Sequence, residues 1–209
     1  VLNTYYVSKL WGIRVTLLNL GIVYGISTDE TEIARGLETR FYYDSVFGTV
    51  INRFCSQAIC EAPLTIHGSG KQKRSFIILR DAIKCFEKVI SLSPQTGQVN
   101  ILKGVADTLS INELSKFVQD SAREYSRKTE IIHVENLRIE LRSDNNNLVD
   151  SSKDFDIDMM SIKNASLKEV MNKIVKYRDN FKADSLKPSN VYWQSDAWAK
   201  KRDIKKNTG

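Results

Sequence analysis

Val15-Thr16-Leu17-Leu18-Asn19-Leu20-Gly21 decides the fold class. The run is short, rich in β-branched residues and leucine, and closed by a glycine, the pattern of a buried strand rather than a helix. Outward on one side, Tyr5-Tyr6-Val7-Ser8-Lys9 reads as a helix preceding that strand. On the other side a charged loop runs from Thr28 to Asp44. Between Phe47 and Ile59 the positions Phe47, Val50, Ile51, Phe54 and Ala58 recur every three or four residues, predicting an amphipathic helix. Pro63 and Gly68 bracket a strand from Leu64 to His67, and Ser75 to Leu79 is extended. Asp81 is placed to cap a helix carrying Ile83, Phe86, Val89 and Ile90. Val99 to Leu102 and Ile131 to Val134 read as further strands. Ser110 with Glu113, and Ser166 with Glu169, are spaced as capping boxes for two more helices. Strands and helices alternate, so the class is α/β.

With 209 residues, 42% of them hydrophobic, the chain can bury a sizeable core. Its sequence contains no apolar run of the ~20 residues that a membrane helix needs. The expectation is a soluble, cytoplasmic protein without membrane insertion. Cys55, Cys60 and Cys85 are odd in number and not closely paired, so free thiols are expected and no metal site. The net charge of +6 suits an anionic partner. Much of it lies in the terminal run 200–209, which has no interleaved aromatics and reads as a solvated basic tail, not a nucleic-acid site. A strand followed by Gly-x-x-Gly-x-x-Gly and a helix occurs nowhere in the sequence, so any dinucleotide would find its pyrophosphate cradle elsewhere.

Tyr5 and Lys9 are four apart, so on a helix they share a face. A phenol is a poor base at neutral pH unless a neighbouring cation favours phenolate. The pair therefore has the makings of a base, although a solvated helix face would carry the same spacing. Arginine forks match a diphosphate best, which singles out Arg74 and Arg138 beside predicted strands. Thr49 and Arg53, one helical turn apart with Asn52 between them, can point together into a cleft or line a solvated face. Thr65 and His67 share one side of their strand, as alternate strand residues do.

The order of Tyr5-Tyr6-Val7-Ser8-Lys9, Leu20-Gly21-Ile22-Val23-Tyr24-Gly25, Pro63-Leu64-Thr65-Ile66-His67-Gly68 and Arg74-Ser75-Phe76-Ile77-Ile78-Leu79-Arg80-Asp81 resembles the extended short-chain dehydrogenases that act on nucleotide sugars. Tyr24 to Glu32 and Tyr43 to Cys55 look like the UDP-sulfoquinovose synthase branch. That likeness continues through Trp11-Gly12-Ile13-Arg14, Gln72 with Arg74, Ile111-Asn112-Glu113-Leu114, Leu137-Arg138-Ile139-Glu140 and Pro188-Ser189-Asn190-Val191-Tyr192-Trp193.

The resemblance implies a Rossmann-type fold, with 1–25 closing a dinucleotide-binding domain and 26–199 forming mainly a nucleotide-sugar domain. Some residues, about 75–92, are expected to return to the first sheet. It further implies NAD as cofactor, UDP-glucose and sulfite as substrates, and a homodimer. Tyr5 and Lys9 would be catalytic, and together with Leu20 and Val23 would flank the nicotinamide. Thr49, Asn52, Arg53, Thr65, His67, Gln72, Arg74 and Arg138 would hold the UDP-sugar. A 4-epimerase or 4,6-dehydratase would use the same pair, and a non-catalytic relative binding nucleic acid or protein is the third reading. Three departures stand out: Leu20 and Tyr6 replace the family's Gln and His, and Leu10 to Trp11 leaves too few residues for an α/β crossover.

Overall fold

The computed structural model describes residues 2–37, 49–92, 99–135, 153–154 and 157–180. Arg138, the segment Tyr43–Phe47, Pro188–Trp193 and the basic tail lie outside them. Helix α1 (Leu2–Trp11) stops at Gly12, whose φ of 63° turns the chain out of the helix. Strand β1 (Val15–Leu20) begins three residues later. The crossover expected to be too short is therefore closed: only a helix-to-strand link has to fit here, and such links need few residues.

β1 gives way at Gly21 to β2 (Ile22–Tyr24). The stretch read as a loop then contains α2 (Asp29–Ile33), capped reciprocally by Thr28 and Thr31, and a 3-10 turn, Arg35–Leu37. Next come α3 (Val50–Ile59), β3 (Leu64–His67), β4 (Lys73–Ile78) and α4 (Leu79–Ser91). β5 (Val99–Gly104), β6 (Asp107–Ser110), α5 (Ile111–Arg123), β7 (Ile131–Val134) and β8 (Lys153–Asp154) follow. A π-turn, Ile162–Ser166, leads into α6 (Leu167–Lys176).

Three small sheets are formed among the described residues. β1, β5 and β8 are parallel, with Val15 opposite Val99 through to Leu20 opposite Gly104. β2 runs parallel to β4, which pairs antiparallel with β6. β3 and β7 form a parallel pair. The strand that joins β1 is thus β5, while α4, inside the span 75–92, packs Ala82 and Cys85 over Leu18 and Leu20. Gly21 sits at the step between the first two sheets, where an added Cβ would stand 2.8 Å from the Phe76 backbone nitrogen.

The main core joins Phe54 and Ile59 of α3, Leu114 and Val118 of α5, and Val170 and Ile174 of α6 to β3 and β4. α3 has the apolar and polar sides its spacing suggested, but it is buried along its whole length from Ile51 to Ile59, so it is a central helix with both sides covered. Buried polar groups are costly unless hydrogen-bonded. Its polar stripe meets that requirement through contacts described below.

Two helix starts also differ from expectation. Asp81 does not cap α4; it lies within the first turn, buried, and accepts from the Met160 backbone N–H at 2.7 Å and from Lys84 Nζ at 2.9 Å. The face of α4 turned inward carries Ala82 and Cys85, leaving Phe86 and Ile90 outside. Ser166 already has helical dihedrals at the end of the π-turn and caps nothing; the N-cap is Ser161. The Ser110 and Glu113 box forms as the spacing predicts.

Candidate functional site

On α1 the four-residue spacing does bring Tyr5 and Lys9 together: Lys9 Nζ stands 5.3 Å from the centroid of the Tyr5 ring. Tyr6 meets that ring edge-on at 6.2 Å. Ser8 is buried, whereas Tyr5 is about half exposed, so the pair looks outward from a helix lying against β1 and β5. Leu20 and Val23 are partly buried against Ile77, Ala82 and Cys85, below the end of β1.

The strand end Tyr24–Gly25 is fixed from two sides. The Tyr24 hydroxyl donates to Ser166 Oγ at 2.8 Å, and Ser166 in turn donates to the Ser161 carbonyl at 3.1 Å. Desolvation holds the Tyr24 phenol well above the ordinary tyrosine range, with the Ser166 hydrogen bond opposing it. Gly25, at φ 93°, donates its N–H to Asn52 Oδ1 at 2.9 Å. The amide of Asn52 is thereby engaged with the backbone.

From Asn52 the chain of contacts continues along α3. Arg53 is buried, stacks 5.3 Å from the Phe54 ring and donates through Nη2 to the Thr65 carbonyl at 2.8 Å. Gln57, which no motif singled out, donates to Thr65 Oγ1 at 2.7 Å and accepts from the Thr65 N–H. Thr65 is fully buried, its hydroxyl occupied. At the end of the same strand the His67 carbonyl accepts from Gln72 Nε2 at 3.5 Å. Arg74, on β4 beyond the turn, reaches the Lys73 carbonyl through Nη1 at 3.0 Å. Thr49 precedes α3, and its buried hydroxyl makes no cap bond.

Arg53 and Gln57 thus meet at Thr65, Gln72 meets His67 and Asn52 serves Gly25, while Tyr5 and Lys9 stand apart on α1. The sequence reading also passed over a charged hub. Arg80 bridges Asp29 at 3.2 Å and Glu169 at 3.4 Å, and Lys173 holds Glu32 at 2.8 Å. Burial raises the Glu169 carboxyl despite Arg80 beside it. The hub ties α2, α4 and α6 together through contacts between residues far apart in sequence, which leave no local signal. Among the described residues no group of His, Cys, Asp and Glu is arranged to hold a metal ion.

Against known proteins, the chain is 33% identical over 193 residues to the UDP-sulfoquinovose synthase of spinach, a chloroplastic protein, with 92% of the chain aligned. The chain is a relative of the UDP-sulfoquinovose synthases. The synthase of Sulfolobus acidocaldarius is 37% identical over 132 residues, 63% of the chain. The match spans 40% of the spinach relative and 33% of the archaeal one. No family model matches the chain. Among solved structures, a dTDP-glucose 4,6-dehydratase from Bacillus anthracis in complex with NAD superposes with a TM-score of 0.56, at 13% identity, over 89% of this chain and 52% of that one. The fold is that of the Rossmann-type extended short-chain dehydrogenases. No helix among the described residues is long and apolar enough to cross a membrane.

Proposed function

We propose that this chain supplies the nucleotide-sugar side and the Tyr-Lys pair of an NAD-dependent enzyme that converts UDP-glucose and sulfite to UDP-sulfoquinovose. The observation that carries the reading is the 33% identity to the spinach synthase along 92% of the chain. In this proposal 1–25 close the dinucleotide-binding domain and 26–199 serve mainly the nucleotide sugar.

The residues present fit a nicotinamide cofactor in one respect: a phenol and an ammonium side by side on an open helix face offer donors suited to a ribose diol. When bound, NAD supplies reversible acceptance of the C4 hydride, and the resulting 4-keto group makes the C5 proton acidic. Tyr5 would take the C4 hydroxyl proton and later return it, with the Lys9 ammonium beside it to stabilise the charge that develops on the phenol oxygen. Loss of the C5 proton and the C6 hydroxyl would release water, and sulfite would then bond to C6 as C5 is reprotonated. The sum is UDP-glucose plus sulfite and a proton giving UDP-sulfoquinovose plus water, with no net redox change. Arg74 and Arg138 would neutralise the diphosphate, with Thr49, Asn52, Arg53, Thr65, His67 and Gln72 shaping the cleft around it. Exposed Leu10 and Trp11 on α1 support a homodimer, which sedimentation velocity would reveal.

A 4-epimerase or 4,6-dehydratase is the second reading, favoured by Leu20: an apolar side chain packed in a core cluster stands where the synthase resemblance implies Gln. Incubating the full-length protein with UDP-glucose, NAD and sulfite, followed by mass spectrometry, separates the two. A sulfonated UDP-hexose supports the proposal, and a 4-epimer or dehydrated keto sugar without sulfonate overturns it.

A further inference from the structure

The sequence Ile111-Asn112-Glu113-Leu114 carries a resemblance but no role so far, and the structure places Asn112 directly against the turn that leads to Arg74. That turn, Gly68-Ser69-Gly70-Lys71-Gln72, is held at nearly every residue. The Gly68 N–H donates to the Val134 carbonyl at 2.9 Å, and the Gly68 carbonyl meets His133 Nδ1 at 2.8 Å. A carbonyl only accepts, so His133 carries its proton on Nδ1. Asn112 Nδ2 donates to the Ser69 carbonyl at 3.0 Å, and the Asn112 backbone N–H donates to the Gly70 carbonyl at 3.0 Å. The Gln72 carbonyl accepts from the Ile111 N–H at 3.3 Å.

The turn is shaped around these partners. Gly68 and Gly70 sit at φ 74° and 68°, which side chains rarely adopt. A Cβ on Gly70 would overlap Asn112 Oδ1. With its carbonyls tied back to β7 and α5, the turn runs directly into three cations within four residues, the exposed Lys71 and Lys73 and the partly buried Arg74. Carbonyls already engaged by the protein and cations close by suit an anion, and ordering the loop in advance removes an entropy cost from binding.

We infer that Asn112 and His133 are positioning residues which pre-form the Gly68–Gln72 turn for the diphosphate of a nucleoside-diphosphate sugar. The inference rests on the nucleotide-sugar reading above. UDP is the probe, titrated calorimetrically into the full-length protein, with UDP-glucose turnover measured in parallel. Losing one or two net hydrogen bonds that order the turn weakens UDP binding about tenfold. Asn112→Asp, which keeps the shape but not the Nδ2 donor, and His133→Ala should show this loss as a raised KM with kcat retained. His133→Asn should restore affinity, because an Asn Nδ2 can occupy the place of His Nδ1 and donate to the Gly68 carbonyl. Wild-type protein that does not bind UDP overturns the nucleotide-sugar reading and this inference with it. Wild-type binding with unchanged affinity in Asn112→Asp and His133→Ala overturns this inference alone, as does a fall in kcat at unchanged KM.

Discussion

Tyr24 and Tyr5 show how differently two phenols are used in one chain. Tyr24 is 1% exposed and its hydroxyl is spent on Ser166, so burial keeps it protonated. Its folded value lies above its unfolded one, so the stability it contributes is complete below the ordinary tyrosine value of about 10 and is lost as pH rises beyond it. Burial pushes the Cys55 thiol in the same direction, which adds to the alkaline loss. Tyr24→Phe should cost about 1 kcal/mol at neutral pH from the lost hydrogen bond, yet flatten the decline above pH about 10; urea midpoints across that range check both. Tyr5, about half exposed beside Lys9, belongs to the proposed chemistry. Tyr5→Phe in the full-length protein should abolish turnover and leave UDP-glucose affinity unchanged, and steady-state kinetics with calorimetry would expose any other outcome. At this scale the Tyr-Lys proximity was legible because it depends on helical spacing alone. The occupation of Thr65 by Gln57 was not, because strand alternation gives a side but says nothing of what already fills it.

Among the elements, the two serines read as helix caps separate local from distant information. Ser110 accepts from the Glu113 N–H three residues on, a contact that sequence spacing contains in full. Ser166 instead serves a tyrosine 142 positions away, which no window of sequence reveals. Their substitutions should differ accordingly. Ser110→Ala removes a cap at the edge of the fold and should cost about 1 kcal/mol. Ser166→Ala leaves the Tyr24 hydroxyl buried without its acceptor and should cost about 1 to 3 kcal/mol, the larger of the two. Chemical denaturation of both variants ranks them. α4 and α3 erred for a related reason: apolar spacing identifies a helix but not which neighbours cover it. Small residues, Ala82 and Cys85, give α4 its inward face, and α3 hides a polar stripe because Gly25 and Thr65 accept and donate along it.

For the whole molecule, the α/β class was legible from the alternation of strands and helices, while the division into three sheets was not. That division depends on Gly21, where β1 leaves one sheet and β2 enters the next, and on carboxylates that fasten residues 160–162 across the step. Asp81 holds the Met160 N–H, and Asp107 holds the Ile162 N–H at 2.6 Å and the Ser161 hydroxyl at 3.0 Å. Gly21→Ala would press a methyl into the Ser75–Phe76 backbone, which cannot swing aside as a side chain would. A loss of about 1 to 3 kcal/mol is expected, seen as a lowered calorimetric midpoint. The outer faces of α1 and α4 carry a different consequence. Leu10 and Trp11 are each 75% exposed and Ile90 82%, with Phe86 close to half. Apolar surface of this kind makes a protein adhesive. Expressed by itself, the 209-residue chain should be poorly soluble, its light scattering climbing with concentration and subsiding when charged residues replace Leu10, Trp11 and Ile90.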